Sequence, residues 1–211
     1  MRRPHDPSID VWAPWSTERV AAAIDGTGAW LSGGWGLDMW LGRVTRAHGD
    51  IDVSVTRDDW YTLAAALRTE LTFFRAESGW LSELRDDVQD PPVNTWCADS
   101  AGRWCLQINL EAGDAAEWRY RRDERVARAW DETILTVEGV PVMAPEVQLL
   151  WKSGRPSPKD EADWATVLPA LDDNSREWLR AAVRLAHPES PINRQFQAGR
   201  KASPRNRASV P

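Results

Sequence analysis

Residues 30–55 read WLSGGWGLDMWLGRVTRAHGDIDVSV. Ser32, Gly33 and Gly34 form a small-residue turn, and a helix-like run over 34–41 follows, closed by Gly42. Arg43, Arg46 and His48 make a basic segment. Ile51, Val53 and Val55 then alternate with Asp50, Asp52 and Ser54. A period of two predicts a strand with one apolar face and both acids on the other. Two acids at i and i+2 lie roughly 6–7 Å apart along such a strand, which suits a pair of Mg²⁺ ions about 3.5–4 Å apart. Small residues at a helix head let backbone N–H groups close on a phosphate. Each piece alone has a bland reading: a solvated strand face, a simple turn, surface arginine and histidine. Their order and spacing together are far less common.

Working outward, the pattern is mixed. Ser16-Thr17-Glu18 opens a helix that Asp25-Gly26 stops. A second helix follows Arg57-Asp58-Asp59 and runs to Leu67. Strands are predicted over 71–74 and 80–84, with hairpins over 94–111 and 133–143, the latter turning at Glu138-Gly139. From residue 144 the pattern turns helical. One helix spans 145–152, a second opens at Ser157-Pro158 with a capping serine, and a third ends near His187. Strands interspersed with helices in this way predict an α+β fold: a mixed sheet flanked by helices, with a C-terminal helical subdomain. The expected division is a loose lead-in over 1–15, a main domain over 16–143, the helical subdomain over 144–188 and a disordered basic tail over 189–211.

The chain has 211 residues, 42% of them hydrophobic and 27% charged, enough for one substantial core. No apolar run approaches the roughly 18–20 residues that span a bilayer, and the basic start MRRPHDPSIDVWAPW lacks the apolar stretch of a secretory signal. Cys97 and Cys105 are the only cysteines and read as reduced thiols of a cytoplasmic protein. Net charge is −6; five Lys/Arg against one Glu make the segment from Glu189 onward +4, leaving −10 on the body. An acidic body argues against a nucleic-acid partner. It is compatible with a cationic small substrate, though plain solubility accounts for it more readily. The fourteen tryptophans follow no period and read mostly as packing residues.

The residues Ser32-Gly33-Gly34-Trp35, Leu37-Asp38, Gly42-Arg43, Thr45-Arg46, His48 and Asp50-Ile51-Asp52 resemble the nucleotidyltransferases of the DNA polymerase β superfamily, within them the aminoglycoside 2''-adenylyltransferase-like group. The likeness continues in 117–123, 144–152 and 158–163, and covers roughly residues 17–188. It implies a Mg²⁺-dependent enzyme moving a nucleoside monophosphate, AMP from ATP or another NTP, to a hydroxyl of a small acceptor such as an aminoglycoside. By the same resemblance Asp50 and Asp52 bind two Mg²⁺ ions, Ser32, Gly33 and Gly34 hold the β- and γ-phosphates, and Arg46 helps neutralise the triphosphate. His48 orients Asp50 or a phosphate, and Lys159 reaches the triphosphate as a point charge. Asp38 is expected to cap or brace the turn. The superfamily adds a third carboxylate from a later strand, as metal ligand or general base. Here that strand presents Gln107, Asn109 and Glu111 on one face, so Glu111 is the candidate, with amides where an earlier acid is expected. A nucleotide-binding regulatory module with weak or no transfer, and a transferase acting on protein or RNA, stay open as alternatives. So do a monomer and a homodimer.

Overall fold

The computed structural model describes residues 2–198. In chain order the elements are β1 (Arg2–Pro4), α1 (Thr17–Ile24), β2 (Trp30–Ser32), α2 (Gly33–Leu41), β3 (Asp52–Val55), α3 (Trp60–Leu67), β4 (Thr72–Glu77), β5 (Trp80–Glu83), β6 (Asn94–Ala98) and β7 (Trp104–Leu110). There follow β8 (Ala112–Gly113), β9 (Glu117–Arg119), β10 (Ala127–Ala129), α4 (Trp130–Thr133), β11 (Ile134–Val137) and β12 (Val140–Met143). The chain then continues as α5 (Pro145–Trp151), α6 (Pro158–Val167), α7 (Asp173–Ala186) and α8 (Gln195–Ala198). Nine strands form one mixed sheet in the order β1-β5-β4-β6-β7-β3-β2-β12-β11, and β10-β9-β8 form a small second sheet. The architecture is the α+β one expected. No helix among the described residues is long and apolar enough to cross a membrane.

The alternation in 50–55 decides which face of the sheet is dry. Val53 and Val55 are fully buried, as is Ile51 just ahead of β3, and they pack with Leu106, Ile108 and Phe73 beneath α1 and α3. Val20 and Ile24 supply the face of α1, Leu63 and Leu67 that of α3. Ser16 caps α1 by accepting from the Arg19 N–H. A second core lies around Trp30, Leu37, Trp118 and Met143, which pack with Leu149, Leu150, Trp164, Leu179 and Val183 of α5, α6 and α7. The helical unit is therefore welded to the sheet end that carries β2 and α2. Ser157 and Asp160 close a capping box that starts α6.

Three local expectations change. The lead-in is ordered: β1 pairs with β5, and Asp10 takes a fork from Arg3 and an indole N–H from Trp104. Those partners are 7 and 94 positions away from Asp10 and leave no periodic trace. The small second sheet, over 112–129, falls where no strand was expected. The tail is helical as far as Ala198: Ile192 is buried in the second core, Phe196 meets Trp164 edge to face, and Ser190 Oγ donates to the Ser153 carbonyl. Residues 199–211 of the expected disordered tail lie outside the described residues. Because Ile192 is only 2% exposed, Ile192→Ala is expected to cost about 2–5 kcal/mol. Urea unfolding with an unchanged slope measures this, and a midpoint equal to wild type excludes the packing described.

Candidate active site

Strand β2 delivers the turn. Ser32 is its last residue and pairs with Asp52 of β3, so turn and acid face each other by register. Gly33 starts α2 with φ +67°, and a Cβ there would overlap the Asp52 carboxylate. A side chain at Gly34 would overlap His48 and Arg46. Both glycines are thus required by close approach, the first also by backbone conformation. The Gly33 N–H donates to Gln148 Oε1 at 2.7 Å, which ties the turn to α5.

The basic segment behind the turn is internally matched. Arg46 forks onto Asp163 of α6 at 2.8 and 3.0 Å. Lys152 reaches the same carboxylate at 3.0 Å and Asp160 at 3.1 Å. Burial works to raise Asp163, but the Arg46 fork and Lys152 outweigh it and hold its carboxyl below the usual range. His48 Nε2 lies 2.5 Å from Asp38, which also accepts from the Thr45 N–H and hydroxyl. Asp38 therefore braces the 45–48 loop, and His48 pairs with Asp38, not with Asp50.

The cleft in front of the turn consists of two adjoining cavities. One, of about 410 Å³, is lined by Ser32, Gly33, Asp52, Asn109 and Glu111 with Lys152, among others. The second, about 670 Å³, takes in Asp50, Asp52, Lys152, Arg155 and Lys159. Burial, then the charge of Asp50, push the Asp52 carboxyl up to about 6; a hydrogen bond from Asn109 at 3.0 Å opposes them. A divalent cation held by Asp50 and Asp52 would relieve that repulsion, and an all-oxygen set with an amide beside it suits a hard ion. The donors fit such an ion.

Glu111 stands apart. Strands β3 and β7 are parallel, with Asp52 opposite Gln107 and Ser54 opposite Asn109. The Glu111 N–H reaches the Val55 carbonyl, one step further on. Its carboxylate accepts from Trp118 Nε1 at 2.8 Å and Ser54 Oγ at 3.3 Å. No group of three His, Cys, Asp or Glu side chains placed to hold one metal is found among the described residues. Burial raises the Glu111 carboxyl to about 7, against the Trp118 N–H, Arg121 and Ser54. A third cavity, about 770 Å³, opens on its other side between Trp30, Trp130, Asp58, Asp59 and Asp114.

Ser32, Gly33, Asp50, Asp52, Glu111 and Lys159 thus line one connected cleft, while Gly34, Arg46 and His48 pack behind the turn. Gln148, Asp163 and Arg121 escaped individual reading. The basic run 118–125 was the available signal for Arg121.

A glycine turn at a helix head, set against paired aspartates on a mixed sheet, defines a nucleotidyltransferase-type protein. The chain belongs to the aminoglycoside-2''-adenylyltransferase family, which it matches over residues 19–167. A 2''-aminoglycoside nucleotidyltransferase of Klebsiella pneumoniae is 36% identical over 75 residues, and one of Escherichia coli 35% over 74. Each match covers 34% of this chain and 41% of the relative, so the chain spans about two-fifths of the length of these curated relatives. Among solved structures, ANT(2'')-Ia in complex with adenylyl-2''-tobramycin is 18% identical with TM-score 0.48, covering 79% of this chain and 94% of that one. The lincomycin-bound lincosamide antibiotic adenylyltransferase LnuA is 17% identical with TM-score 0.49, covering 81% and 99%.

Two expectations test this geometry. Gly33→Ala places a side chain in a left-handed conformation against Asp52, costing about 1–3 kcal/mol. Far-ultraviolet dichroism should stay native while the thermal midpoint falls; a midpoint equal to wild type would exclude the close approach of Gly33 to Asp52. The second concerns pH. An unfolded glutamate titrates near 4.5 and Glu111 near 7, so between these values the folded state holds the extra proton. Its contribution is fully present below about 4.5 and is lost as pH rises through 7, a change of about 3 kcal/mol. Asp52 adds the same sign between its own limits of 3.8 and about 6. In metal-free buffer, unfolding free energy should therefore fall from pH 4.5 to 8. Glu111→Gln should flatten most of the fall above pH 6.

Proposed function

We propose that this chain transfers a nucleoside monophosphate, AMP from ATP, to a hydroxyl of a small amine-bearing acceptor of the aminoglycoside class. The observation that carries the reading is the meeting of two kinds of cavity at Glu111. On one side lie the glycine turn, the aspartate pair and the cations Lys152, Arg155 and Lys159. That side matches a triphosphate. On the other side Asp58, Asp59 and Asp114 outnumber Arg57 and Arg121 beside the half-buried Trp130 indole, which matches a cationic, ring-shaped acceptor.

Asp50 and Asp52 would hold Mg²⁺, which supplies charge neutralisation for the triphosphate and its leaving pyrophosphate. The remaining chemistry belongs to the chain. The head of α2 receives phosphate oxygens, aided by the helix dipole, on N–H groups other than that of Gly33, which Gln148 holds. Lys159 adds a mobile positive charge on the opposite wall. Glu111, raised to about 7, is suited to take the acceptor hydroxyl proton near neutrality. The hydroxyl oxygen bonds to the α-phosphorus, and the bond from that phosphorus to the bridging oxygen breaks with pyrophosphate departing in line. The indole and serine contacts to Glu111 fix its carboxylate toward the junction.

Pyrophosphate release with Mg-ATP and separate panels of aminoglycosides and lincosamides tests the reading. Release with an aminoglycoside is expected, and Asp52→Asn should reduce it at least about 100-fold with a thermal midpoint no lower than wild type. Release with neither panel, despite stabilisation by Mg-ATP, would favour a nucleotide-binding module.

A further inference from the structure

Two residues line both the turn-side cavity and the acidic cavity: Glu111 and Arg121. Glu111 is accounted for above. Arg121 follows β9, and its guanidinium carbon sits 4.9 Å from the centre of the Trp151 ring. Arg122 stacks on the same ring at 5.2 Å but is held by the Trp151 carbonyl at 3.1 Å and the Tyr120 hydroxyl at 3.4 Å. Arg46 and Lys152 are matched by Asp163 and Asp160. Arg121 differs from all of these. It makes no ion pair or hydrogen bond among the described residues, and its Nε is buried with no partner.

A partly buried guanidinium with an orphan N–H is costly to keep. Burial lowers its affinity for the proton, and Arg122 adds a like charge; Glu111 is the acid that opposes them. Nothing in the packing requires a cation here, since the platform it lies on is an indole. A planar fork pre-set on an aromatic face, with its donors unspent, is built to receive tetrahedral oxyanions.

We propose that Arg121 is a catalytic residue: its fork, held over Trp151 where the two cavities meet, takes the charge that develops on the phosphoryl group during transfer. The proposal rests on the transfer reading above. As the acceptor oxygen bonds to the α-phosphorus and the bond to pyrophosphate breaks, charge on the non-bridging oxygens is what the fork binds. The hydroxyl proton goes to Glu111, and the pyrophosphate leaves with the bonding electron pair. Arg121 itself neither gains nor loses a proton.

The test uses Arg121→Met, which keeps the stem on Trp151, and Arg121→Lys, which keeps the charge. For Arg121→Met the ligand-free thermal midpoint should rise by about 2–4 °C, because an uncompensated charge is removed. Its kcat should fall at least about 100-fold while KM for ATP stays within about threefold. Arg121→Lys should recover less than about tenfold of that loss, since an ammonium cannot reproduce the fork. A lower midpoint for Arg121→Met makes the residue structural and overturns the proposal, whether or not the wild-type chain transfers. A kcat within about threefold of wild type also overturns it, as does a loss confined to KM. A wild-type chain that releases no pyrophosphate with any acceptor refutes the transfer reading instead, and the thermal midpoint still decides whether Arg121 is a spare, ligand-seeking charge.

Discussion

The site depends on how closely backbone and carboxylate approach at one point. Gly33 lies so near Asp52 that no Cβ fits between them. That contact follows from the β2–β3 register, which sets Ser32 beside Asp52. It also requires the left-handed turn that lets α2 start where β2 ends. Gln148 then fixes the Gly33 N–H from the other side. Strand pairing, helix start and helical unit therefore converge on a single peptide group. Moving any one of them shifts the acid relative to the turn.

Charge is handled in two ways around this point. Behind the turn, Asp163 is nearly fully buried yet meets both Arg46 and Lys152. Removing one partner from such a cluster leaves an uncompensated charge in a dry place. The cluster therefore holds the 45–48 loop against α5 and α6 in one arrangement. In front of the turn the balance is left open. Asp52 and Glu111 are both pushed toward the protonated form by burial, and Arg121 pairs with no acid among the described residues. Stability is spent where ligands are expected to restore it.

The legible and illegible parts of the sequence differ by range. The alternation of Ile51, Val53 and Val55, the glycine turn, the Ser157 cap and the hairpin at Glu138-Gly139 are local signals, and the structure has an element at each. So the order of the main elements was readable, β1 and the strands β8 to β10 apart, and with the family motif the turn and its aspartates as well. Gln148 lies 115 positions from Gly33, and Asp163 lies 117 from Arg46. Nothing local marks either as a partner, because each has the type and spacing of an ordinary helix residue. Ile192 went unread because one apolar residue in a polar segment has no period. Its burial is decided by a cavity that α5, α6 and α7 build elsewhere.

The position of Glu111 turns on strand pairing as well. An acid on β7 placed to share a metal with Asp52 would have to stand at position 107 or 109, the residues set opposite Asp52 and Ser54. Both are amides here. Asn109 donates to Asp52 and so favours the charged carboxylate that a cation needs, where a third acid would repel it. Glu111, one step beyond, escapes that competition and keeps a raised proton affinity instead. Had the acid stood at 109, a metal would have claimed its charge and lowered that affinity. In the proposed mechanism, setting it two residues later would separate the two tasks, with the aspartate pair for a cation and the glutamate for a proton.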